Sequence, residues 1–430
     1  MARPKKELVP SAPLNRASSL VARMNKSGAD ICTASQAMDK WRYIDFANPR
    51  CDLPTLTMEW CFGARGLLAG RIMQLRATYS KGKSSFMYYM YACAQLKNDA
   101  YCFHVETEGA AAPPDFVASF GCDPNNLAIA EISSLEECLG KIDEVIREIR
   151  GGGKGSVDPE TGRTKKTIYT DPLDAGLVSP IIVGIDSLSS LGIESKVEQD
   201  IMDMTKRGGI SAHTLVLRDY FRNRVGLYRD SQALALFATH ETAKIETGKK
   251  SLGGPKKSSL AQEAIAIHGT YAADFDSQTW QDKEAGVLHG SKISVYTTKN
   301  KLSPRYRRIE MYMRTNMGFD MIESDVNFLC SHAASPFTPE ECKRVNGSVK
   351  CTPLSDKTFK SSEEFLRTLY GNTDLLMAIR EKLRIRGFGF RFETDYQSKL
   401  NDLEAQAAAK GEHEMPTEEP DGLAGDQGQV

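Results

Sequence analysis

The chain reads as an α/β protein with a mainly parallel, twisted sheet flanked by helices, and three observations predict this. From Pro54 to about Leu329, apolar strand-like runs alternate with helical patterns, as crossover connections between parallel strands require. The run Pro180 to Ser187 is a buried-type strand that ends in Asp186. Arg71 to Gln95 reads as an apolar strand, a tight loop closing on Gly82-Lys83-Ser84, and a helix from Phe86. At 430 residues there is room for one large core with smaller appendages.

The elements follow in order. Residues 1–50 begin basic (Arg3, Lys5, Lys6) and carry a short helical pattern from Pro13 to Met24, too small to bury a core alone. This segment is expected to dock on the rest of the chain or, as a helical oligomerisation element, on a neighbour. Residues 51–330 form the core. Its clearest helix runs from Leu135 to Arg150, with a capping-box pattern at Ser134 and Glu137, an apolar stripe through Leu135, Cys138, Leu139, Ile142, Val145, Ile146 and Ile149, and Gly151 as the stop. Residues 151–176 are polar and turn-rich and read as a surface insertion. Residues 331–410 form a small C-terminal region with weak patterning and two helices, near Ser362 to Tyr370 and Asp374 to Arg386. Residues 411–430 lack Lys and Arg and collect Glu412, Glu414, Glu418, Glu419, Asp421 and Asp426, the composition of a disordered acidic tail.

Bulk composition narrows the function classes. A formal net charge of -1 excludes a uniformly basic nucleic-acid coat, so any such contact must come from local clusters. Ten cysteines lie scattered in mostly apolar surroundings behind no signal peptide, which points to reduced thiols in a cytoplasm. No apolar run approaches the ~20 residues of a membrane span.

The loop Ala77-Thr78-Tyr79-Ser80-Lys81-Gly82-Lys83-Ser84-Ser85 has the order of a phosphate-binding P-loop. Backbone N–H groups at a helix N-terminus face an anion, Lys83 reaches the outer phosphates, and the Ser84 hydroxyl can hold Mg²⁺. The first position of the G-x-x-x-x-G-K-S pattern is Ala77 in place of Gly. A glycine there permits a sharp turn, and alanine resists φ > 0 at a cost of order 1 kcal/mol, so the loop is expected to shift without losing Lys83. Two acidic strand ends complete a nucleotide site. The strand Cys102 to Val105 runs into Glu106-Thr107-Glu108-Gly109, where a carboxylate can orient a water, and Asp186 can hold Mg²⁺ through a water.

Glu106-Thr107-Glu108-Gly109 resembles the D-T-E-G segment of RecA-type strand-exchange recombinases, and Ile185-Asp186-Ser187 resembles their Walker B strand. Gly66 to Ile72 is similar to the family's lead-in to the P-loop, and Ala235 to His240 is similar to the strand ending in its polar ATP sensor. The resemblance covers about Pro54 to Phe319, and a histidine sensor with a degenerate P-loop points to the phage UvsX-like branch. It implies a RecA-like P-loop ATPase core using ATP and Mg²⁺, with Glu108 as the catalytic carboxylate.

The resemblance also implies a helical filament on single-stranded DNA, pairing with double-stranded DNA, and a single-strand-binding protein or loader as a further partner. Two DNA-binding loops are expected. One spans Glu194 to Ala212 with Lys206 and Arg207, and the other spans Ile245 to Leu260 with Lys249, Lys250, Gly253, Gly254, Lys256 and Lys257. Lys299-Asn300-Lys301 looks like the family's K-x-K, in which Lys299 and Lys301 act on a neighbour's ATP as an arginine finger does.

Two other activities stay open: a recombination mediator that binds nucleotide with little turnover, and a hexameric RecA-fold helicase. Phe116 is placed to stack on adenine or to sit in the core. Cys330, His332, Cys342 and Cys351 have zinc-ligand chemistry but no familiar zinc spacing, and read as buried thiols.

Overall fold

The computed structural model describes residues 42–385, apart from 110, 111, 151–169, 172, 173, 193–208, 244–256, 260–264, 266, 283–285 and 346, together with the helical residues 21, 22 and 24–26. Most of the N-terminal segment, most of the insertion and the whole acidic tail therefore lie outside the described residues, as does the core of each proposed DNA loop.

The chain enters through the short strands β1 (Tyr43–Asp45), β2 (Ala47–Asn48) and β3 (Leu53–Pro54), helix α1 (Leu56–Phe62) and β4 (Gly66–Leu68). The central elements are β5 (Ile72–Ala77), α2 (Lys83–Asn98), β6 (Tyr101–Glu106), α3 (Pro114–Ser119), β7 (Leu127–Glu131) and α4 (Leu135–Ile149). A small hairpin, β8 (Thr170–Asp171) and β9 (Asp174–Val178), precedes β10 (Ile181–Asp186), α5 (Gly209–Asp230) and β11 (Ala233–Ala243). Then come β12 (Lys257–Ser259), β13 (Tyr271–Asp282), β14 (Val287–Asn300), β15 (Arg308–Arg314) and β16 (Gly318–Asp320). The chain closes with α6 (Met321–Ser331), β17 (Cys342–Val345), β18 (Ser348–Cys351), β19 (Thr358–Phe359), α7 (Ser362–Gly371) and α8 (Thr373–Lys382).

The main sheet runs β16-β15-β14-β13-β5-β11-β10-β6-β7, with β12 paired to β11. The six strands from β13 to β7 are all parallel to their neighbours, while β13 to β16 continue the sheet antiparallel. The sequence expectation of a mainly parallel sheet thus holds for one half, and a hairpin ladder of long strands extends it. Three local expectations change. The hairpin β8–β9 begins inside the stretch read as a loop insertion, residues from Gly209 are helical where the first DNA loop was drawn to Ala212, and Lys257 lies in β12 at the end of the second.

Helices cover both faces. Helix α2 lies on one face, with Met87, Tyr88, Tyr89, Met90 and Tyr91 all buried in one large cluster, as an apolar-all-round helix must be. Gly184 in the middle of β10 makes this approach possible, because a Cβ there would lie 2.0 Å from the Tyr91 hydroxyl oxygen. On the other face the apolar stripe of α4 and Leu217, Phe221 and Tyr228 of α5 bury against Val105, Val183, Ile185 and Phe237. Ser134 caps α4 as its sequence pattern predicts, accepting a hydrogen bond from the Glu137 N–H at 3.3 Å.

The region after Cys330 is more structured than its patterning implies. Strands β17 to β19 form a three-stranded antiparallel sheet that shares a core with α6, α7 and α8. This core joins the rest through α1. Arg380 makes a two-point ion pair with Glu59, at 2.8 and 2.7 Å, and Asp325 accepts hydrogen bonds from the Thr57 N–H at 3.0 Å and the Tyr370 hydroxyl at 2.6 Å. The Arg380 and Glu59 side chains are only 5% and 2% exposed, so each charge depends on the other.

Replacing Arg380 with Met should therefore cost about 3–5 kcal/mol in chemical denaturation, because the buried Glu59 carboxylate loses the opposite charge of Arg380. Adding Glu59→Leu should recover most of that loss. A single-variant loss below about 1 kcal/mol, the range of an exposed pair, would show that the contact contributes little.

Candidate functional site

The site forms at the carboxyl ends of adjacent parallel strands, where open α/β sheets bind ligands. In register, His240 of β11 lies beside Ala77 of β5, and Asp186 of β10 lies beside Glu106 of β6. The chain leaves β5 through residues 78–82 and enters α2 at Lys83, with Gly82 at the N-cap position and no side-chain cap. The first N–H groups of this long helix therefore have no internal acceptor, and their dipoles favour an anion.

The loop's backbone corrects the expectation about Ala77. Ala77 is the last residue of β5, is buried, and does not take a positive φ; the left-handed positions are Ser80 (φ 55) and Gly82 (φ 89). No cost arises at Ala77, because alanine fits a strand end. Gly82 carries the turn, and a Cβ there would also press on the Ile293 side chain at 3.1 Å. The loop is tied to β13 by Lys81, which forms an ion pair with Asp276 at 2.7 Å, and by the Ser277 hydroxyl, which donates to the Ser80 carbonyl at 3.3 Å.

A cavity of about 450 Å³ opens above these strand ends. Lys83, Ser84, Glu108, Asp186 and His240 all line it, as do the backbone of the loop, Phe116 and Ser291. Four of the sequence-predicted residues join in one polar chain. The Lys83 ammonium, on a residue only 5% exposed, donates to the Thr78 carbonyl at 2.9 Å and lies 3.4 Å from His240 Nδ1. His240 Nε2 is 3.0 Å from Glu108 Oε1, which also accepts from the Ser187 hydroxyl at 3.2 Å and the Ser190 hydroxyl at 3.1 Å. With Lys83 donating to Nδ1, the network assigns the ring proton to Nε2, which donates to Glu108.

The electrostatics follow from these contacts. Burial lowers the Lys83 pKa, opposed by the charges of Asp186, Glu108 and Glu241. Burial raises that of Asp186, opposed by a hydrogen bond from the Ser84 hydroxyl. The His240 hydrogen bond holds Glu108 below the usual carboxylate range, so it is ionised at neutral pH. A cation, a base-type carboxylate and a row of helix N–H groups thus face one cleft, the equipment for binding a polyanion and orienting a water beside it.

Several contacts escaped sequence reasoning. The Tyr79 ring lies over the His240 ring at 4.4 Å between centroids and 30° between planes, although Tyr79 is 73% exposed. Ser187 and Ser190 hold Glu108, and the Glu108 N–H donates to Glu106 at 2.8 Å. An exposed aromatic within a Gly-Lys-Ser loop is the one signal that pointed to Tyr79. Phe116 lines the cavity, edge-on to Phe120 and Tyr88, but it is 43% exposed, so it is not a core residue.

Other predicted residues lie elsewhere. Lys299, near the end of β14, and the exposed Lys301, which donates to the Ile267 carbonyl at 3.1 Å, do not line the cavity. Lys206, Arg207, Lys249, Lys250, Gly253, Gly254 and Lys256 lie outside the described residues. Among the described residues, no group of three or more His, Cys, Asp or Glu side chains is arranged to hold a metal ion, the Cys330–Cys351 region included. None of the described helices is long and apolar enough to cross a membrane.

No protein-family model matches the chain. It is similar to proteins named RecA: 23% identical over 272 residues to that of Pseudomonas putida, covering 63% of this chain and 65% of the relative. It is 21% identical over 268 residues to those of Gluconacetobacter polyoxogenes and Acidiphilium cryptum, in each case covering 62% of this chain and 66% of the relative. The chain thus spans just under two thirds of the length of these relatives. The likeness, though distant, supports membership of the RecA family and agrees with the large helix-flanked sheet.

Removing the Tyr79 ring should release the His240 ring. In histidine-labelled protein, Tyr79→Ala should shift the His240 resonances by loss of the ring current, and Tyr79→Phe should leave them in place. Unchanged His240 signals in Tyr79→Ala would show that the rings do not stack in solution.

Proposed function

We propose that this chain is an ATP-dependent homologous-recombination protein that polymerises on single-stranded DNA as a helical filament and promotes pairing and strand exchange with duplex DNA. The observation that carries the reading is the Lys83–His240–Glu108 chain at the carboxyl ends of adjacent parallel strands, above an uncapped helix N-terminus. The distant likeness to RecA proteins supports the same reading.

In this reading residues 77–85 are a P-loop. The helix N–H groups and Lys83 bind the outer phosphates, and Glu108 orients the attacking water and draws its proton toward the carboxylate. Ser84 and Asp186 are the residues that would hold Mg²⁺, and their fit is supported by both of them lining the same cleft. Two such oxygens suit a metal held mainly by phosphate and water. When bound, the metal offsets charge on the phosphates. His240, shared between Lys83 and Glu108, reports the presence of the outermost phosphate to β11, whose continuation leads into the lysine-rich loop 245–260. Lys299 and Lys301 complete the site of a neighbouring subunit, which makes turnover depend on assembly. The N-terminal segment docks on the adjacent core, and a histidine sensor favours the phage UvsX-like branch.

Glu108→Gln should lower DNA-stimulated ATP hydrolysis by about 10²–10⁴-fold while nucleotide still binds. Hydrolysis absent from both proteins, with DNA binding intact, would instead identify a mediator. The pH profile tests Lys299, whose pKa is pushed down to about 8 by burial and by Lys301. A lysine lowered in this way loses its charge as pH rises through that value. DNA-stimulated hydrolysis should therefore fall between about pH 7 and 9.5, and Lys299→Arg, which stays charged, should flatten the fall. Superimposable profiles would show that the charge of Lys299 has no part in turnover.

A further inference from the structure

Three cysteines far from the cleft form a cluster that the proposed function does not use. Cys330 lies near the end of α6, Cys342 begins β17 and Cys351 ends β18. Cys342 and Cys351 are direct cross-strand partners. The flanking Thr352 N–H donates to the Glu341 carbonyl at 2.9 Å, so Cys342 and Cys351 occupy the close, non-hydrogen-bonded type of pair. Such pairs hold their Cα atoms about 4.5 Å apart, inside the range a disulfide spans. Cys330 packs against the small core that holds both, and Cys342 is the thiol that interacts electrostatically with each of the other two.

Access is graded among the three. Cys330 is half-buried, whereas Cys342 and Cys351 are fully buried. Interaction with Cys342 holds the thiols of both Cys330 and Cys351 below their ordinary values, and of the two only Cys330 is open to solvent. By contrast, burial pushes up the thiols of Cys51, Cys61, Cys93, Cys102, Cys122 and Cys138. A zinc site is a poor alternative. Both nitrogens of His332 are committed, Nδ1 accepting from the Ala334 N–H and Nε2 donating to the Arg308 carbonyl, each at 3.0 Å.

We propose that Cys330, Cys342 and Cys351 form a three-thiol relay, a site of reversible oxidation that takes in a peroxide at Cys330 and stores a disulfide between Cys342 and Cys351. The Cys330 thiolate attacks one peroxide oxygen, forming an S–O bond as the O–O bond breaks and hydroxide leaves to become water. Cys342 then attacks the Cys330 sulfur, an S–S bond forms, and the S–O bond breaks with loss of a second water. Cys351 attacks the Cys342 sulfur and releases Cys330 as a thiolate, which regains a proton. In sum, two thiols and one hydrogen peroxide give one disulfide and two waters.

The test treats the reduced full-length protein with a small excess of hydrogen peroxide, quenches it with N-ethylmaleimide, and maps linked peptides by mass spectrometry after non-reducing digestion. The expected product has lost two hydrogens and carries a Cys342–Cys351 link that dithiothreitol reverses. Cys351→Ser should trap a Cys330–Cys342 link instead, and Cys330→Ser should slow disulfide formation by about tenfold or more. A wild-type map in which Cys51 or another thiol is oxidised first and no link forms within the trio would overturn the proposal. So would a Cys330→Ser protein that forms the link as fast as wild type. The wild-type map decides the matter by itself should a serine variant fail to fold.

Discussion

The register of four parallel strands, β5, β11, β10 and β6, is the constraint on which the rest of the cleft depends. It sets His240 beside Ala77 and Asp186 beside Glu106, so residues separated by up to 163 positions meet at one sheet edge. Alternate residues face opposite sides of a sheet, and a slip of one would turn His240 away from Lys83. The register is itself held by the two apolar layers. Helix α2 covers one face and helices α4 and α5 the other, so any slip would expose the continuous apolar surfaces of β10 and β11. Packing energy spent across the whole sheet thus holds a polar geometry at its edge.

That polar geometry is closed upon itself. The Lys83 ammonium is satisfied by two loop carbonyls and by His240, and Glu108 by His240 and two serine hydroxyls. An arriving phosphate would exchange these contacts for its own oxygens, and the exchange would be felt at once at His240, which touches both partners. This is the physical basis for the proposed coupling between nucleotide and DNA. The bridge is one ring, steadied by Tyr79, on a strand that runs on toward the lysine-rich loop.

Where a feature rests on local pattern, the sequence foretold it well. The capping serine and apolar stripe of α4, the strand–loop–helix order around Lys83 and the acidic end of β10 all follow from spacing within a few residues. Features built from distant residues did not show. The stacking of Tyr79 on His240 and the seating of Glu108 on Ser187 and Ser190 depend on how strands align, which leaves no periodicity to read. The antiparallel extension through β13 to β16 and the small sheet β17 to β19 were hidden for a related reason. Strands β14 and β18 alternate in burial over short stretches only, β17 is buried at Cys342 alone, and the cross-strand partners of these strands are set by turns rather than by a repeating motif. The concern over Ala77 came from counting positions in a motif; the backbone shows that the turn begins later, at Ser80.

In the proposed assembly each nucleotide site is completed by Lys299 and Lys301 of a neighbouring subunit. Electron microscopy of the full chain with single-stranded DNA and a non-hydrolysable ATP analogue tests it most directly. The expected result is a regular nucleoprotein helix in which Lys299 and Lys301 of one subunit approach the phosphates held at Lys83 and Ser84 of the next. Monomers or closed rings, or a helix with those lysines turned away from the nucleotide, would contradict it.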